Sequence, residues 1–316
     1  MSAIRIGMCP FLTESVHGQL REAGIKTTLD LITADAEALS QKAEIPYKEM
    51  LALRRVLLAQ TASFPVSGKD LYETAMASIS ILTTGCYSVD DLLDGGLYTG
   101  EITEIAGEVA AGKTQFCMTC ASAVICRAKQ NVYYIDTNGS LMAERVLQIA
   151  EHSGQEIEES TFQRMRCQQT FDIFALLSEL EKLRCQILQQ TDGFYSDMKL
   201  LVVDNIASVI NPVLGGQQMD GHGLMVTLSR KLKQLAVDCS IAVLITNNMV
   251  GGNWDRARTP GLGKTWSHVP NTRIIITPIN GQREISLVKS SKMQTNTSVS
   301  CVITDGGVLP SQADPS

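Results

Sequence analysis

The chain has 316 residues, of which 44% are hydrophobic and 19% are charged. These proportions are close to those of ordinary globular proteins and exclude a wholly disordered chain or a fibrous repeat. No apolar run approaches the roughly 20 residues that cross a bilayer, so we expect no membrane partner. Nine cysteines without the spacing of a disulfide framework predict reduced thiols in the cytosol or nucleus.

The formal net charge of −6 is unevenly distributed along the chain. Residues 249–292 contain seven basic and two acidic side chains, a local charge of +5, which leaves −11 on the rest. An acidic protein with one basic segment is expected to contact a polyanion locally through that segment.

Residues 1–58 have the pattern of a small all-helical, helix-hairpin-helix-like domain. A helix is predicted over residues 12–23, and Thr33 is expected to cap a later one. Seven basic and seven acidic residues balance within the first 60 positions, so docking to protein is expected more than contact with DNA. Residues 59–79 then have the composition of a linker.

Over residues 80–316 the pattern changes to short β-branched runs that alternate with longer helical patterns. This alternation predicts an α/β core with a mostly parallel sheet flanked by helices, whose last strands form an antiparallel edge. Strands are predicted at 101–107, 131–136, 200–204, 241–246, 273–277 and 284–288. Helices are predicted at 113–128, 171–190 and 223–237.

The segment from Gly107 to Thr114 reads GEVAAGKT and follows a predicted strand. This is the spacing of a P-loop, whose glycines let backbone N–H groups approach nucleotide phosphates. Lys113 is expected to neutralise the β- and γ-phosphates, and the Thr114 hydroxyl to bind Mg²⁺. We therefore predict ATP and Mg²⁺ as cofactors, with nucleotide contacts from Gly107, Glu108, Val109, Ala110, Ala111, Gly112, Lys113, Thr114 and Gln115.

A second part of a nucleotide site is predicted at the end of another strand. The aliphatic run 200–203 precedes Asp204, whose carboxylate would lie at the C-terminal end of a buried strand and reach the Mg²⁺ shell. The pattern is weak alone, and its occurrence downstream of a P-loop strengthens it.

Four phrases in chain order carry a family resemblance: GEITEIAGEVAAGKTQ, YYIDTNGSLMAER, LLVVDN and AVLITNN. They resemble the RecA-family eukaryotic recombinases over nearly the whole chain, and the flanking phrases are most similar to the D-type recombinase paralogues. The resemblance implies a RecA-like P-loop ATPase core, a nuclear location and a role in DNA repair by homologous recombination. It also implies two kinds of partner, other recombinase paralogues and single-stranded or branched DNA.

The resemblance assigns catalytic positions and predicts slow hydrolysis. Lys113, Asp204 and Asn138 match those positions, but Asn138 stands where efficient family members have a glutamate that polarises the attacking water. Asparagine cannot accept a proton at neutral pH, and loss of a positioned base typically costs ~10² to 10⁴ in rate. Asn248 likewise replaces the glutamine of the γ-phosphate sensor. The chain is thus expected to be at most a weak DNA-dependent ATPase.

Three residues near the site carry alternative interpretations. Arg145 matches a family arginine that stacks on adenine, and the alternative is an ordinary arginine on a helix surface. Glu104 and Glu108 are close enough in sequence to the P-loop to be alternative bases.

Two further functions of the whole chain stay open: an autonomous strand-exchange recombinase, and a P-loop kinase or metabolic ATPase.

The basic segment includes a long glycine-rich stretch, residues 247–271, with both tryptophans of the chain. Aromatic rings interleaved with basic groups suit single-stranded DNA, since bases stack on the rings and phosphates pair with the cations. The alternative is that the tryptophans anchor the stretch on the core or on a partner subunit. The residues predicted to bind DNA are Trp254, Arg256, Arg258, Lys264 and Trp266.

Phe64 lies in the linker in the phrase FPVS. The resemblance places there an F-x-x-A phrase that docks as an added strand on a neighbouring ATPase core. Ser67 replaces the alanine and adds a hydroxyl that needs a hydrogen bond when buried. Phe64 is therefore predicted to bind a partner paralogue, and the alternative is a flexible spacer with one incidental aromatic residue.

Overall fold

The computed structural model describes residues 4, 6, 8–61, 65–152, 154, 157, 159–190, 192–214, 220–251 and 258–311. The chain divides into two compact units, Met1–Thr74 and Ala75–Ser316. The domain limits that we predict, 1–58 and 80–316 with a linker at 59–79, stay a prediction.

The first unit contains the helices α1 (Glu14–Glu22), α2 (Thr28–Thr33), α3 (Ala36–Ala43) and α4 (Tyr47–Thr61). The prediction that Thr33 caps a helix is wrong, because Thr33 is the last residue of α2. Asp35 caps α3 instead, and its carboxylate accepts hydrogen bonds from the N–H groups of Glu37 and Ala38. A carboxylate that reaches two N–H groups stabilises a helix start more than a threonine two residues earlier.

Two turns close this helical unit around an apolar core. Gly24 and Glu44 have left-handed backbones after α1 and α3, and the N–H groups of Ile25 and Ile45 bond to carbonyls five residues earlier. These bonds turn each following segment back toward the core. The buried side chains include Leu12, Leu20, Leu31, Leu39, Met50, Leu53 and Leu57.

A fifth helix, α5 (Gly68–Ser78), lies within the stretch predicted as a linker. The strands that follow are β1 (Ile81–Leu82), β2 (Leu97–Tyr98), β3 (Ile102–Gly107), β4 (Asn131–Asp136), β5 (Met165–Gln169), β6 (Met198–Asp204), β7 (Ala242–Val250), β8 (Thr259–Pro260), β9 (Thr272–Ile279), β10 (Gln282–Lys289), β11 (Thr297–Thr304) and β12 (Gly307–Pro310). The later helices are α6 (Tyr87–Leu92), α7 (Lys113–Ala123), α8 (Ala143–His152), α9 (Ile173–Gln189), α10 (Gly193–Ser196), α11 (Ile206–Leu214), α12 (Asp220–Asp238) and α13 (Gly263–Ser267). A π-helical turn, Val124–Ala128, extends α7, and a 3₁₀ turn, Glu159–Arg164, precedes β5.

The main sheet has the order β12-β11-β10-β9-β3-β7-β6-β4-β5, and β8 pairs with β7 beside this path. Six neighbouring strands run parallel to one another, in the order β9, β3, β7, β6, β4 and β5. The sheet continues beyond β9 with β10, β11 and β12, each antiparallel to its neighbour. The predicted fold, a mostly parallel sheet with an antiparallel edge, is therefore confirmed. The sequence pattern missed β11 because only one residue of that strand is fully buried, so its apolar periodicity is weak.

Helices cover both faces of the parallel strands, which explains their nearly continuous apolar sequences. In β4 the side chains of Val132 and Tyr134 join one apolar cluster, whereas Tyr133 and Ile135 join the cluster on the opposite face. Cys117 and Cys120 are completely buried in the first cluster, as expected for core residues. None of the helices in the described ranges has the length and apolar character to cross a bilayer.

Candidate nucleotide-binding site

The loop between β3 and α7 has a backbone that requires glycine at two positions. At Gly107, a Cβ atom would lie 2.9 Å from the Ile276 carbonyl oxygen on β9. Gly112 has a φ of 110°, and a Cβ there would also lie 2.5 Å from Cδ1 of Ile303. The glycines of the motif therefore allow close packing of this loop against β9 and β11.

Lys113 is the first residue of α7, and its side chain returns over the loop. Its Nζ donates to the carbonyl oxygens of Gly107 and Glu108 at 2.9 and 2.7 Å. Burial lowers the pKa of Lys113 from its usual value, and the charge of Asp204 opposes that shift. The ammonium group is thus held at the phosphate loop near a carboxylate, where charge-assisted bonds to phosphate oxygens can replace bonds to carbonyls.

Asp204 is the last residue of β6 and is 1% exposed. One carboxylate oxygen accepts a hydrogen bond from the Tyr134 hydroxyl at 3.1 Å, and the other accepts one from the Thr246 hydroxyl. Burial, with nearby charge, raises the pKa of Tyr134 well above its usual value, so that hydroxyl stays a donor. A carboxylate held in this orientation suits Mg²⁺ or its water shell, because Mg²⁺ prefers oxygen ligands in fixed geometry.

These residues fit ATP with Mg²⁺. A cavity of about 330 Å³ adjoins the loop and is lined by residues 110–115 together with Arg283 and Ile303. The loop residues would hold the phosphates, and Thr114 and Asp204 would hold the metal. When bound, Mg²⁺ neutralises phosphate charge and polarises the transferred phosphoryl group.

Asn138 lies in a turn after β4 that is organised by a buried carboxylate. Asp136 is 1% exposed and accepts hydrogen bonds from the N–H groups of residues 138–141 at 2.9 to 3.2 Å. The turn is therefore firmly positioned, and Asn138 is exposed on it. An amide there can orient a water molecule but cannot accept its proton.

Polar side chains connect the carboxyl ends of β4, β6 and β7. The Thr137 hydroxyl donates to the Asn205 carbonyl at 2.7 Å and accepts from the Asn205 N–H at 2.6 Å. The Asn205 side chain donates to the Asn248 side-chain oxygen at 2.8 Å. Asn248, at the sensor position of the family resemblance, is thus linked to the strand that ends at Asp204.

Arg145 on α8 is tied to the beginning of α7 and to the turn between β11 and β12. Its Nε donates to the Gln115 side chain at 2.9 Å, and Nη1 donates to the Asp305 carbonyl at 2.9 Å. It also donates to the Gln148 side chain and the Thr304 carbonyl. These bonds hold the guanidinium next to a residue that lines the cavity, and its stacking on adenine stays a prediction.

Glu104 is not available as a catalytic base. It is completely buried on β3 and forms an ion pair with Arg273 on β9. One of its oxygens also accepts hydrogen bonds from the Asn247 amide at 2.8 Å and from the Trp266 indole N–H at 2.9 Å. The carboxylate is occupied by three side-chain donors and has no exposed surface, so it cannot take a proton from a water molecule at the phosphate loop.

The prediction that Trp266 stacks on DNA bases is corrected by its position. Its ring is completely buried and packs into the apolar cluster beside α11 and α12. Because the ring fills the core and its N–H bonds to Glu104, Trp266 fixes the end of the basic stretch to the sheet. This is the alternative that the sequence left open, an anchor on the core.

Of the other four residues predicted to bind DNA, two are among the described residues and two are not. Arg258 and Lys264 are exposed. Arg258 forms an ion pair with Glu108 of the phosphate loop, so the alternative of Glu108 as a free base is also weakened. Trp254 and Arg256 lie outside the described residues, as does Phe64, and their roles stay predictions.

Comparison with known proteins decides the family. The model of the Rad51 family matches residues 76–311, which cover most of the chain and include the phosphate loop, Asn138 and Asp204. The chain belongs to the Rad51 family. A second model, described as RAD51D, N-terminal domain, matches residues 1–60. The first match confirms the resemblance to the recombinase family, and the second confirms the resemblance to its D-type paralogues.

Relatives across eukaryotes and archaea resemble this Rad51-family chain over almost its full length. DNA repair protein RAD51 homolog 4 of Bos taurus is 45% identical over 303 residues, with 93% of each chain covered. The protein of the same name from Mus musculus is 45% identical over 305 residues, which cover 93% of this chain and 92% of the relative. DNA repair and recombination protein RadA of Metallosphaera sedula is 28% identical over 313 residues, which cover 93% of this chain and 92% of the relative.

Sequence reasoning missed the residues that reach this Rad51-family site from distant segments. Arg283 and Ile303 line the cavity, yet they follow the phosphate loop by more than 160 positions. Asn205 follows Asp204 directly, and a polar residue after a strand-terminal aspartate was a signal available in the sequence. Its bond to Asn248 required knowing that β6 and β7 are neighbours.

Proposed function

We propose that this chain is an ATP-binding recombinase-paralogue subunit that acts in homologous-recombination repair. It binds partner paralogues and single-stranded DNA in the nucleus, assists assembly of the recombinase filament and hydrolyses ATP weakly. The observation that carries the proposal is a phosphate loop with Lys113 and a buried Asp204 beside a well-positioned turn that presents Asn138. The residues that would bind ATP and Mg²⁺ are present, whereas the carboxylate expected to accept a proton from water is replaced by the amide of Asn138.

The names of the relatives support a role in DNA repair, since they describe proteins of DNA repair and recombination. The exposed cations Arg258 and Lys264 support contact with a polyanion. The position of Glu104 also supports slow turnover, because this carboxylate is buried in an ion pair and cannot replace the missing base.

One experiment separates this proposal from the two alternatives. ATP turnover is measured with and without single-stranded DNA, and the mass of the purified protein and of its complexes is measured in solution. The proposal expects slow turnover and a mixed complex with another paralogue. Rapid DNA-stimulated turnover by large assemblies of the chain alone would favour an autonomous recombinase, and phosphorylation of a small molecule would favour a kinase.

The first prediction concerns Asn138. Asn138→Glu is expected to increase the ATP turnover number at least about tenfold, because a carboxylate at that turn can accept a proton from water. Phosphate release in single-turnover and steady-state assays measures the effect. Asn138→Gln is the matched control, since it lengthens the side chain without adding a base. Equal turnover numbers for the wild type and Asn138→Glu would contradict the prediction, and a wild-type turnover number near the enzyme median of ~10 s⁻¹ would contradict slow hydrolysis itself.

The second prediction concerns the basic stretch. Replacing both Arg256 and Arg258 by alanine is expected to weaken single-stranded DNA binding and to flatten the log-log salt slope by ~0.7 per lost phosphate contact. Affinity titrations between low and physiological salt measure the slope. Arg230→Ala, at an exposed position on α12, is the control. An unchanged slope would assign the stretch to a protein interface.

The third prediction concerns Phe64. Phe64→Ala is expected to weaken binding of a partner paralogue by ~2 kcal/mol or more, as for a buried aromatic hot spot, and to leave ATP affinity unchanged. Titration of the two purified subunits near their dissociation constant measures the loss. Tyr87, an aromatic residue that is 66% exposed, provides the control variant Tyr87→Ala. Equal partner affinity for wild type and Phe64→Ala would mean that the phenylalanine is incidental.

A further inference from the structure

Arg283 brings a positive charge from the antiparallel edge of the sheet to the phosphate loop. It lies on β10, where it pairs with Pro278 on β9 and with Cys301 on β11. Its Nε donates to the carbonyl oxygen of Ala111 at 2.8 Å. The same side chain lines the cavity of about 330 Å³.

The guanidinium is held in place by backbone groups. In addition to the bond to Ala111, Nη1 donates to the Gln282 carbonyl at 2.9 Å. A guanidinium carries five N–H donors in a rigid plane, so two backbone bonds fix the orientation of the whole group. A fixed guanidinium loses little conformational entropy when it binds an oxyanion, and it can do so through two parallel hydrogen bonds.

The cavity indicates which part of a nucleotide this cation would meet. Its other lining residues are the loop and first helical turn from Ala110 to Gln115, and Ile303. In a P-loop the backbone N–H groups of this segment hold the α- and β-phosphates. The γ-phosphate positions assigned by the family resemblance, Asn138 and Asn248, are outside the described lining of the cavity. Arg283 therefore lies at the part of the cavity where the α- and β-phosphates of a nucleotide would bind.

We propose that Arg283 is a nucleotide-binding residue that contacts the α,β-diphosphate common to ATP and ADP. It supplies a second cation to that diphosphate in addition to Lys113. Its bond to Ala111 also supports the loop where Gly112 has its left-handed backbone. The inference rests on the proposed nucleotide site but not on slow hydrolysis, DNA binding or partner binding.

The test measures the affinities of the purified full chain for ATP, ADP and inorganic pyrophosphate by calorimetry. Arg283→Gln is expected to weaken all three by a similar factor of about ten or more, as for a lost charge-assisted hydrogen bond. Arg283→Lys is expected to lose less, because it keeps the charge without the planar donors. Arg230→Gln removes an exposed arginine elsewhere and is expected to change nothing.

Several results would overturn the assignment. Unchanged affinities for all three ligands in folded Arg283→Gln would exclude a contact. Weaker ATP binding with unchanged ADP binding would place the arginine at the γ-phosphate, and weaker ADP binding with unchanged pyrophosphate binding would place it at the nucleoside. If Arg283→Gln fails to fold, full wild-type affinity in Arg283→Lys excludes a role for the planar donors. A wild-type chain that binds no nucleotide overturns the site itself, whereas wild-type binding with unaffected variants overturns only the role of Arg283.

Discussion

Lys113→Ala is expected to abolish measurable ATP binding. The ammonium group is held at the phosphate loop by two carbonyl oxygens, with a carboxylate nearby, and alanine removes the only side-chain cation that the P-loop motif provides. Each lost charge-assisted hydrogen bond costs about 1.5 to 3 kcal/mol, so loss of two or more reduces affinity at least a hundredfold. Calorimetry with ATP and Mg²⁺ measures the change.

Controls distinguish loss of the site from loss of the fold. Lys182→Ala removes a lysine that is 58% exposed on α9 and is expected to bind ATP as the wild type does. Thr114→Ala is expected to remove the gain in affinity that Mg²⁺ gives, while ATP binding without Mg²⁺ stays near the wild-type level. If folded Lys113→Ala binds ATP like the wild type, the nucleotide site has been assigned to the wrong residues.

Glu104→Ala is expected to destabilise the second unit strongly. Its removal leaves Arg273, which is 8% exposed, without its carboxylate and deprives Asn247 and Trp266 of an acceptor. Loss of one partner of a buried ion pair costs about 3 to 5 kcal/mol, because the other charge stays buried and unpaired. For a unit of this size the melting temperature should fall by roughly 10 °C.

Matched variants test the cause of this loss. Glu101 directly precedes β3 and pairs with Lys292, which is 39% exposed, so Glu101→Ala should cost no more than about 1 kcal/mol. A double variant with methionine at positions 104 and 273 removes both buried charges and should recover part of the stability. Thermal unfolding followed by circular dichroism compares the variants. Equal melting temperatures for Glu104→Ala and Glu101→Ala would contradict the buried ion pair as the source of stability.

Local patterns were sufficient for much of the fold. Each of the six predicted strands overlaps an observed strand, although two of them begin one residue too early. Five of the six are parallel strands covered by helices, and such strands are apolar along most of their length. The helix predicted over 113–128 is present as α7 and its π-helical extension. The P-loop could be recognised since its glycines, lysine and threonine lie within eight consecutive residues, and each is required by the loop itself. The error at Thr33 arose because threonine and aspartate both cap helices, and Asp35, two positions later, is the residue whose side chain accepts from the first N–H groups of α3.

Sequence alone determined the phosphate-loop motif, the alternation of strands and helices, and the replacement of a glutamate by Asn138, because each depends on residues close together in the chain. Tertiary structure decided the interpretation of Trp266 and Glu104 and brought Arg283 to the nucleotide cavity. These side chains are far apart in sequence, and strand order sets their neighbours. A buried tryptophan and a base-stacking tryptophan have the same local sequence, and only the packing around the ring distinguishes them.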